Sequence, residues 1–223
     1  MATVVVPVDE TSKASAEQRL VLDDVDWATY RKLSETLAGR HLRVTYDRGR
    51  LELMTISRLH GTLCRLLAQL IAVLTEEFNL PCGSCGGMTC DSEPLDRGIE
   101  PDECFYIENE PLVRSKDTID LTIDPPPDLA IEVDISRDPR RRLSVYAALG
   151  VPEVWRFDGR QLTIYVRQAE GDYQIVERSP HFPIVPPSEV ETVIARRAEL
   201  DHNGMAREFR TRVRELISRD NGT

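Results

Sequence analysis

The chain has 223 residues, of which 41% are hydrophobic and 30% charged, a composition typical of one soluble domain with a buried core. Its formal net charge of −10 argues against loose binding of a polyanion over the whole surface, because such binders usually carry a basic excess. The most apolar stretch, residues 63–74, is interrupted by Arg65 and Gln69 and is too short to cross a bilayer. Because the first residues also lack a basic, apolar signal sequence, we expect a cytoplasmic protein without a membrane partner.

The N-terminal third of the chain predicts two helices separated by a hairpin. Residues 1–20 are polar and aperiodic, which is typical of a flexible segment. A helix is expected over residues 24–38, and two alternating runs around a glycine turn predict a β-hairpin over residues 42–54. Ser57 is expected to cap a longer helix over residues 58–78, whose leucines recur at helical spacing.

The rest of the chain predicts alternating strands and helices. Further strands are expected at residues 86–90, 102–107, 128–133, 153–157, 161–166 and 173–176. Further helices are expected at residues 140–149, 188–200 and 205–217. Ser188 and Glu191 have the spacing of a capping box at the start of the second of these helices. This order predicts an α/β fold, in which residues 21–200 form a central mixed sheet flanked by helices and residues 201–223 add a C-terminal helix.

Three of the five cysteines lie close together in a glycine-rich stretch. Cys82 and Cys85 have the spacing of metal ligands and Cys90 follows, but no second such pair is present. We therefore expect free thiols rather than a structural zinc ion. An interaction module stabilised by zinc at these three cysteines stays open as an alternative.

Three acidic motifs stand near the ends of predicted strands, at residues 100–102, 127–128 and 132–134. A strand rises about 3.3 Å per residue, so Asp128 and Glu132 would be roughly 13 Å apart and could not easily share an ion. Asp102 can meet Glu132 if their two strands pair. We expect these two carboxylates, with the backbone carbonyl of Val133, to hold Mg²⁺ or Mn²⁺, since hard cations prefer oxygen ligands. Solvated strand ends or salt-bridge partners are the alternative interpretation.

Longer stretches around these acids resemble the PD-(D/E)xK nuclease superfamily, and in particular a large bacterial family described as putative restriction endonucleases. The stretches that carry the resemblance are residues 97–107, 125–135 and 146–155, together with residues 46–54 and His60. The resemblance covers roughly residues 22–180. It implies a restriction-endonuclease-like core with the metal site at the sheet edge, and Mg²⁺-dependent cleavage of DNA.

By position, Asp102 matches the proline-linked aspartate of the family and Glu132 matches its second acid. The resemblance implies that they hold the metal, which polarises the phosphate and lowers the pKa of an attacking water. The resemblance implies a lysine either two residues after Glu132 or four residues before Tyr146. This chain has Asp134 at the first of these positions and Arg142 at the second.

Arginine stays protonated and cannot act as a general base, but it can clamp a phosphate oxygen. With Arg142 in the catalytic set, we expect a slow endonuclease or one that has lost activity. The alternative is a non-catalytic nucleic-acid or protein binding module that retains the fold.

Two further residues are candidates for support of the metal. His60, near the start of the second helix, could face the metal cleft and bind phosphate or orient water, or could be an ordinary core histidine. Glu52, at the end of a hairpin strand, could support the metal or be a surface acid. Asp134 could join them from the strand end.

A homodimer is expected because cleavage of both DNA strands needs two sites. The C-terminal helices offer an apolar face made of Val190, Ile194, Val213 and Leu216. The same residues could equally pack within one subunit.

Overall fold

The computed structural model describes residues 17–134 and 140–222. The strands are β1 (Arg19–Leu22), β2 (Leu42–Asp47), β3 (Arg50–Thr55), β4 (Gly83–Gly86), β5 (Cys90–Ser92), β6 (Arg97–Ile99), β7 (Glu103–Tyr106), β8 (Leu129–Val133), β9 (Glu153–Phe157), β10 (Leu162–Arg167) and β11 (Tyr173–Val176). The α-helices are α1 (Trp27–Leu37), α2 (Arg58–Glu77), α3 (Glu110–Val113), α4 (Arg140–Leu149), α5 (Pro187–Ala195) and α6 (His202–Asp220).

The strands form two sheets. The smaller sheet has the order β1-β3-β2-β6-β5, and all of its neighbouring strands are antiparallel. The larger sheet has the order β11-β10-β9-β8-β7-β4 and is mixed, because β8 and β9 are parallel while its other pairs are antiparallel. Helix α4 connects the parallel pair, as a crossover between parallel strands requires.

Each face of the larger sheet is covered by helices. On one face, α2 and α5 pack against the sheet, and α6 packs on these two helices. Together they bury Leu67, Ile131, Trp155 and Phe209 in the main core. On the other face, α4 lies against the larger sheet and also contacts strands of the smaller one. The carboxylate of Glu132 points to this second side, toward Arg142 in α4.

The apolar face expected to support a dimer is used inside the chain. Val190, Ile194 and Val213 are buried in the main core, and Leu216 packs against it. These residues therefore pack within one subunit, which was the alternative to a dimer interface. Among the described helices, none combines the length and apolar character needed to span a bilayer.

The first two helices, the hairpin and the strands that carry the acids are confirmed, and the fold class is mixed α/β as expected. The strand expected at residues 86–90 is wrong: β4 ends at Gly86, which has a φ of +57°, and β5 begins only at Cys90. A left-handed glycine ends the regular extension, so two short strands in different sheets replace one. Strands β1 and β6 were not predicted, and residues 1–16 of the segment expected to be flexible lie outside the described residues.

The capping box expected at Ser188 and Glu191 is also wrong. Helix α5 starts after Pro186, which makes no side-chain cap. Glu191 instead accepts a hydrogen bond of 2.8 Å from the backbone N–H of Leu162 in β10. The last helix starts at His202, where Asp201 accepts a hydrogen bond from the N–H of Gly204.

Candidate active site

Pairing of β7 with β8 brings the two acid-bearing segments together. The backbone N–H of Asp102, just before β7, donates to the carbonyl of Ile131 at 3.2 Å. The N–H of Val133 in turn donates to Asp102 Oδ2 at 2.8 Å. The Asp102 carboxylate therefore lies against the main chain of β8, next to the residue that follows Glu132.

Asp102 is buried, with 1% of its surface exposed, and cations surround it. Its Oδ1 lies 3.1 Å from Arg43 Nε and 2.8 Å from His60 Nε2. Burial opposes ionisation, but His60, Arg142 and Arg43 outweigh it and hold the pKa of Asp102 below its usual value. The carboxylate is therefore charged at neutral pH, and its charge is compensated inside the protein.

Glu132 is held by α4 through two side chains. Arg142 Nε donates to Glu132 Oε2 at 2.7 Å, and a terminal nitrogen of Arg142 donates to Oε1 at 2.7 Å. The hydroxyl of Tyr146, one helical turn further along α4, also donates to Oε1. Glu132 and Arg142 are 5% and 7% exposed, and Tyr146 is fully buried. Both oxygens of the second acid are thus occupied by donors from α4.

Arg142 also donates hydrogen bonds to two neighbouring segments of the chain. One terminal nitrogen donates to Thr45 Oγ1 at 2.6 Å, and the other also donates to the carbonyl of Glu100 at 2.8 Å. The guanidinium therefore ties α4 to β8, to β2 and to the segment that leads to Asp102. The sequence predicts a contact of this side chain with a phosphate, whereas in the structure its guanidinium binds Glu132.

These residues lie within the region that identifies the family. A sequence model of the family Uma2, described as "Putative restriction endonuclease", matches residues 27–195. The chain belongs to this family. This confirms the resemblance to the restriction-endonuclease-like nucleases and covers Asp102, Glu132, Arg142 and His60.

Two other comparisons add facts without changing this conclusion. None of the curated proteins matches the sequence. The chain is similar to the crystal structure of a protein described as a putative nuclease belonging to DUF820 from Anabaena variabilis, with 14% sequence identity and a TM-score of 0.42. That similarity covers 74% of this chain and 90% of the other.

In this Uma2-family protein, Asp134 and Glu52 form a separate ionic group. Asp134 is 4% exposed and lies 3.1 Å from Arg19 and 3.5 Å from Arg156. Arg19 also contacts Glu52 at 3.2 Å. The recorded ion pairs thus connect both acids to Arg19, and their support of a metal remains a prediction.

The space beside Glu132 is small. A cavity of about 10 Å³ is lined by residues that include Glu132, Asp134, Arg142 and Tyr146. Such a volume admits about one water molecule. A phosphodiester would enter this place only if side chains of α4 moved away from β8.

Oxygen donors suit the hard cation that the family implies, and Asp102 and Glu132 supply them from paired strands. Arg43, His60 and Arg142 now neutralise both acids, so an ion would bind by displacing a cationic side chain. The two acids therefore fit such a cation in their chemistry, in exchange for existing ion pairs. The carbonyl of Val133, expected as a third ligand, belongs to the same strand end, and its role remains a prediction.

Several residues that the fold brings to the two acids were not predicted from the sequence. Arg43 comes from β2 and pairs with Asp102, and Tyr146 comes from α4 and donates to Glu132. Cys64 lies four residues after His60 on α2, a spacing that puts both side chains on one helix face and was available as a signal. His60 Nδ1 contacts Glu17 Oε1 at 2.6 Å, which no local pattern indicates.

Cys82, Cys85 and Cys90, whose spacing suggested a metal site, differ in their exposure to solvent. Cys82 is exposed, Cys85 is half-buried and Cys90 is buried. Among the described residues, the group of side chains close enough to share a metal ion consists of His60, Cys64 and Asp102. It contains none of those three cysteines.

Proposed function

We propose that this protein is a metal-dependent endonuclease that hydrolyses phosphodiester bonds of DNA. The observation that supports this most directly is the pairing of β7 and β8: Asp102 directly precedes β7, Glu132 lies in β8, and both acids are buried. The positive charge of Arg142 favours the ionised form of both carboxylates.

Asp102, Glu132 and the carbonyl of Val133 would hold Mg²⁺ or Mn²⁺. When bound there, the ion would act as a Lewis acid toward the phosphate and lower the pKa of an attacking water. The protein residues would supply the oxygen ligands, and Arg43, with 19% of its side chain exposed, would be available to a phosphate oxygen. Arg142 stays protonated and cannot take a proton from water, so we expect slow turnover.

One observation favours the alternative function, a non-catalytic binding module. Both oxygens of Glu132 already accept hydrogen bonds from Arg142 and Tyr146. A domain in which this closed arrangement is permanent would keep the nuclease fold without cleaving DNA.

A plasmid assay separates the two functions. Supercoiled plasmid is incubated with Mg²⁺ or Mn²⁺ and with wild type, Asp102→Ala or Glu132→Gln. Glu108→Gln serves as the control, since it removes a carboxylate whose side chain is 82% exposed. The nuclease proposal expects cleavage by wild type and the control only. Equal cleavage, or none, in all four proteins would reject it and leave the binding module.

A homodimer that cuts both strands is part of the proposal. The interface must use a surface other than the apolar face of α5 and α6, because Val190, Ile194 and Val213 are buried within the chain. Light scattering with size-exclusion chromatography measures the molar mass directly, and a mass near 25.3 kDa would exclude a stable dimer.

A further inference from the structure

A histidine and a cysteine of α2 lie close to the Asp102 carboxylate, so nitrogen, sulfur and oxygen donors come together there. His60, Cys64 and Asp102 each offer one ligand atom, and these three atoms all lie within 4.8 Å of one another. All three side chains are buried, with exposed fractions of 0%, 5% and 1%. His60 and Cys64 are four residues apart on α2, so consecutive helical turns present them to the same carboxylate.

The carboxylate of Glu17 contacts the ring nitrogen of His60 that lies away from Asp102 and so orients the imidazole. Its Nδ1 lies 2.6 Å from Glu17 Oε1. Its Nε2 is fully buried and makes no hydrogen bond, although Asp102 Oδ1 is only 2.8 Å away. The distance suits an ion pair, but the direction of the ring N–H does not suit a hydrogen bond. A buried ring nitrogen that makes no hydrogen bond, close to both a carboxylate and a thiol, is placed as a metal ligand would be.

We propose that His60, Cys64 and Asp102 bind one transition-metal ion of the Zn²⁺ class. A nitrogen, a sulfur and an oxygen donor form a set that such an ion accepts, whereas Mg²⁺ selects oxygen ligands. A carboxylate that holds the far nitrogen of a ligating histidine is the usual support of such sites, and Glu17 has that position. Three protein ligands leave a fourth position for water or a substrate oxygen, as in catalytic rather than structural zinc sites.

The charges of the loaded site balance in a buried place. Metal ligands bind in their deprotonated forms, so the loaded cluster would hold a neutral imidazole, a thiolate, a carboxylate and a divalent ion, with a net charge of zero. The protons that the ligands give up would go to the buffer.

The site shares Asp102 with the proposed nuclease centre but does not use Glu132. It can therefore exist whether or not the protein cleaves DNA. A Zn²⁺-class ion at this site would engage the same carboxylate that the nuclease proposal assigns to Mg²⁺. It should hold Asp102 against Mg²⁺, because Mg²⁺ gains little from the nitrogen and sulfur donors.

Cobalt substitution tests the proposal on the full-length protein. The metal-stripped chain is titrated with Co²⁺, because a cobalt–thiolate bond gives a charge-transfer band in the near ultraviolet. We expect one equivalent of Co²⁺ to produce the band, one equivalent of Zn²⁺ to abolish it and excess Mg²⁺ to leave it unchanged. Cys64→Ser should lose the band. The matched controls are Cys90→Ser, another buried cysteine, and Cys82→Ser, an exposed one, and both should keep it.

Glu17→Ala tests the orienting contact. We expect it to weaken Co²⁺ binding by about 10- to 100-fold, the range typical when a carboxylate behind a ligating histidine is lost. Affinity equal to that of wild type would contradict a role for Glu17.

Three results would overturn the site itself. They are the absence of a band in wild type, a band that survives in Cys64→Ser, and a band that depends on Cys82. If circular dichroism shows that Cys64→Ser is unfolded, Cys64→Ala takes its place, and X-ray absorption on Zn²⁺-loaded wild type counts one sulfur or none. Glu132→Gln should keep the band while it stops DNA cleavage, so failure of either proposal is visible without the other.

Discussion

Arg142 and Glu132 form a bidentate ion pair inside the protein, with both contacts at 2.7 Å. The family resemblance predicts a lysine at the position of Arg142 and predicts that Glu132 is the second acid of the motif. The pair therefore joins two residues that the nuclease proposal needs for substrate and metal. It stabilises the closed arrangement of α4 on β8 and holds Glu132 away from an incoming ion.

Arg142→Lys should increase DNA cleavage and decrease stability. Lysine keeps the positive charge but loses the planar fork that reaches Glu132, Thr45 and the Glu100 carbonyl together. We expect the free energy of unfolding to fall by about 1–3 kcal/mol, since partners lose hydrogen bonds to a charged group. Urea denaturation measures this, and plasmid cleavage in Mg²⁺ should rise by about tenfold or more if a lysine can act in proton transfer. Arg141→Lys, on the exposed neighbour, is the control and should change neither quantity.

Arg142→Met should be far more damaging alone than in combination. It leaves the charged carboxylate of Glu132 buried without its partner, a change that typically costs about 3–5 kcal/mol. The double variant with Glu132→Gln removes that charge as well, so its loss of stability should be smaller than the sum of the two single losses. A double-mutant cycle from urea denaturation measures the coupling. Additive losses would show that the pair does not act as a unit.

Tyr146→Phe isolates the third contact of Glu132. The hydroxyl of Tyr146 donates to Oε1 in a place without exposed surface. Its removal should lower the free energy of unfolding by about 1–3 kcal/mol, the typical cost of an unmade buried hydrogen bond. Tyr165→Phe is the comparison, because the ring of Tyr165 packs edge-on against Tyr173 in a half-buried place. Equal losses in both variants would show that the cost does not come from the contact between the Tyr146 hydroxyl and Glu132.

Local patterns predicted the elements that position the acids. The apolar spacing of α2, the turn at Gly49 and the alternation around Ala130 and Glu132 depend on neighbours within a few residues, so the sequence carries them directly. In the structure, this alternation puts Ala130 and Glu132 together on the face of β8 that α4 covers.

Partner choice was harder to predict because it depends on long-range packing. Arg142 could have faced solvent, phosphate or Glu132, and its contacts to Thr45 and the Glu100 carbonyl are formed across 97 and 42 residues of chain. Glu191 had the local signal of a capping box, yet its carboxylate accepts a hydrogen bond from the backbone N–H of Leu162 in β10. In both cases, a charged side chain has several local options, and the tertiary fold decides among them.

The pairing of His181 with Glu153 should make stability depend on pH. His181 Nδ1 lies 2.6 Å from Glu153 Oε2, and their side chains are 8% and 1% exposed. Burial alone would lower the pKa of His181, but the Glu153 carboxylate outweighs it and raises that pKa above the usual 6.5. The folded protein thus binds this proton more tightly than the unfolded chain does.

This stabilisation is fully present below the pKa of histidine in the unfolded chain and is lost as pH rises through the higher pKa of the folded protein. From about pH 6.5 upward, the contribution of His181 should decline by at most about 1.4 kcal/mol per pH unit. Urea denaturation between pH 6 and about 9 tests this by comparing wild type with His181→Asn. The variant should show a flatter decline, whereas His202→Asn, on an exposed histidine, should follow wild type. A decline of the same slope in His181→Asn and wild type would contradict the raised pKa, because each protein's own slope removes any constant loss of packing from the comparison.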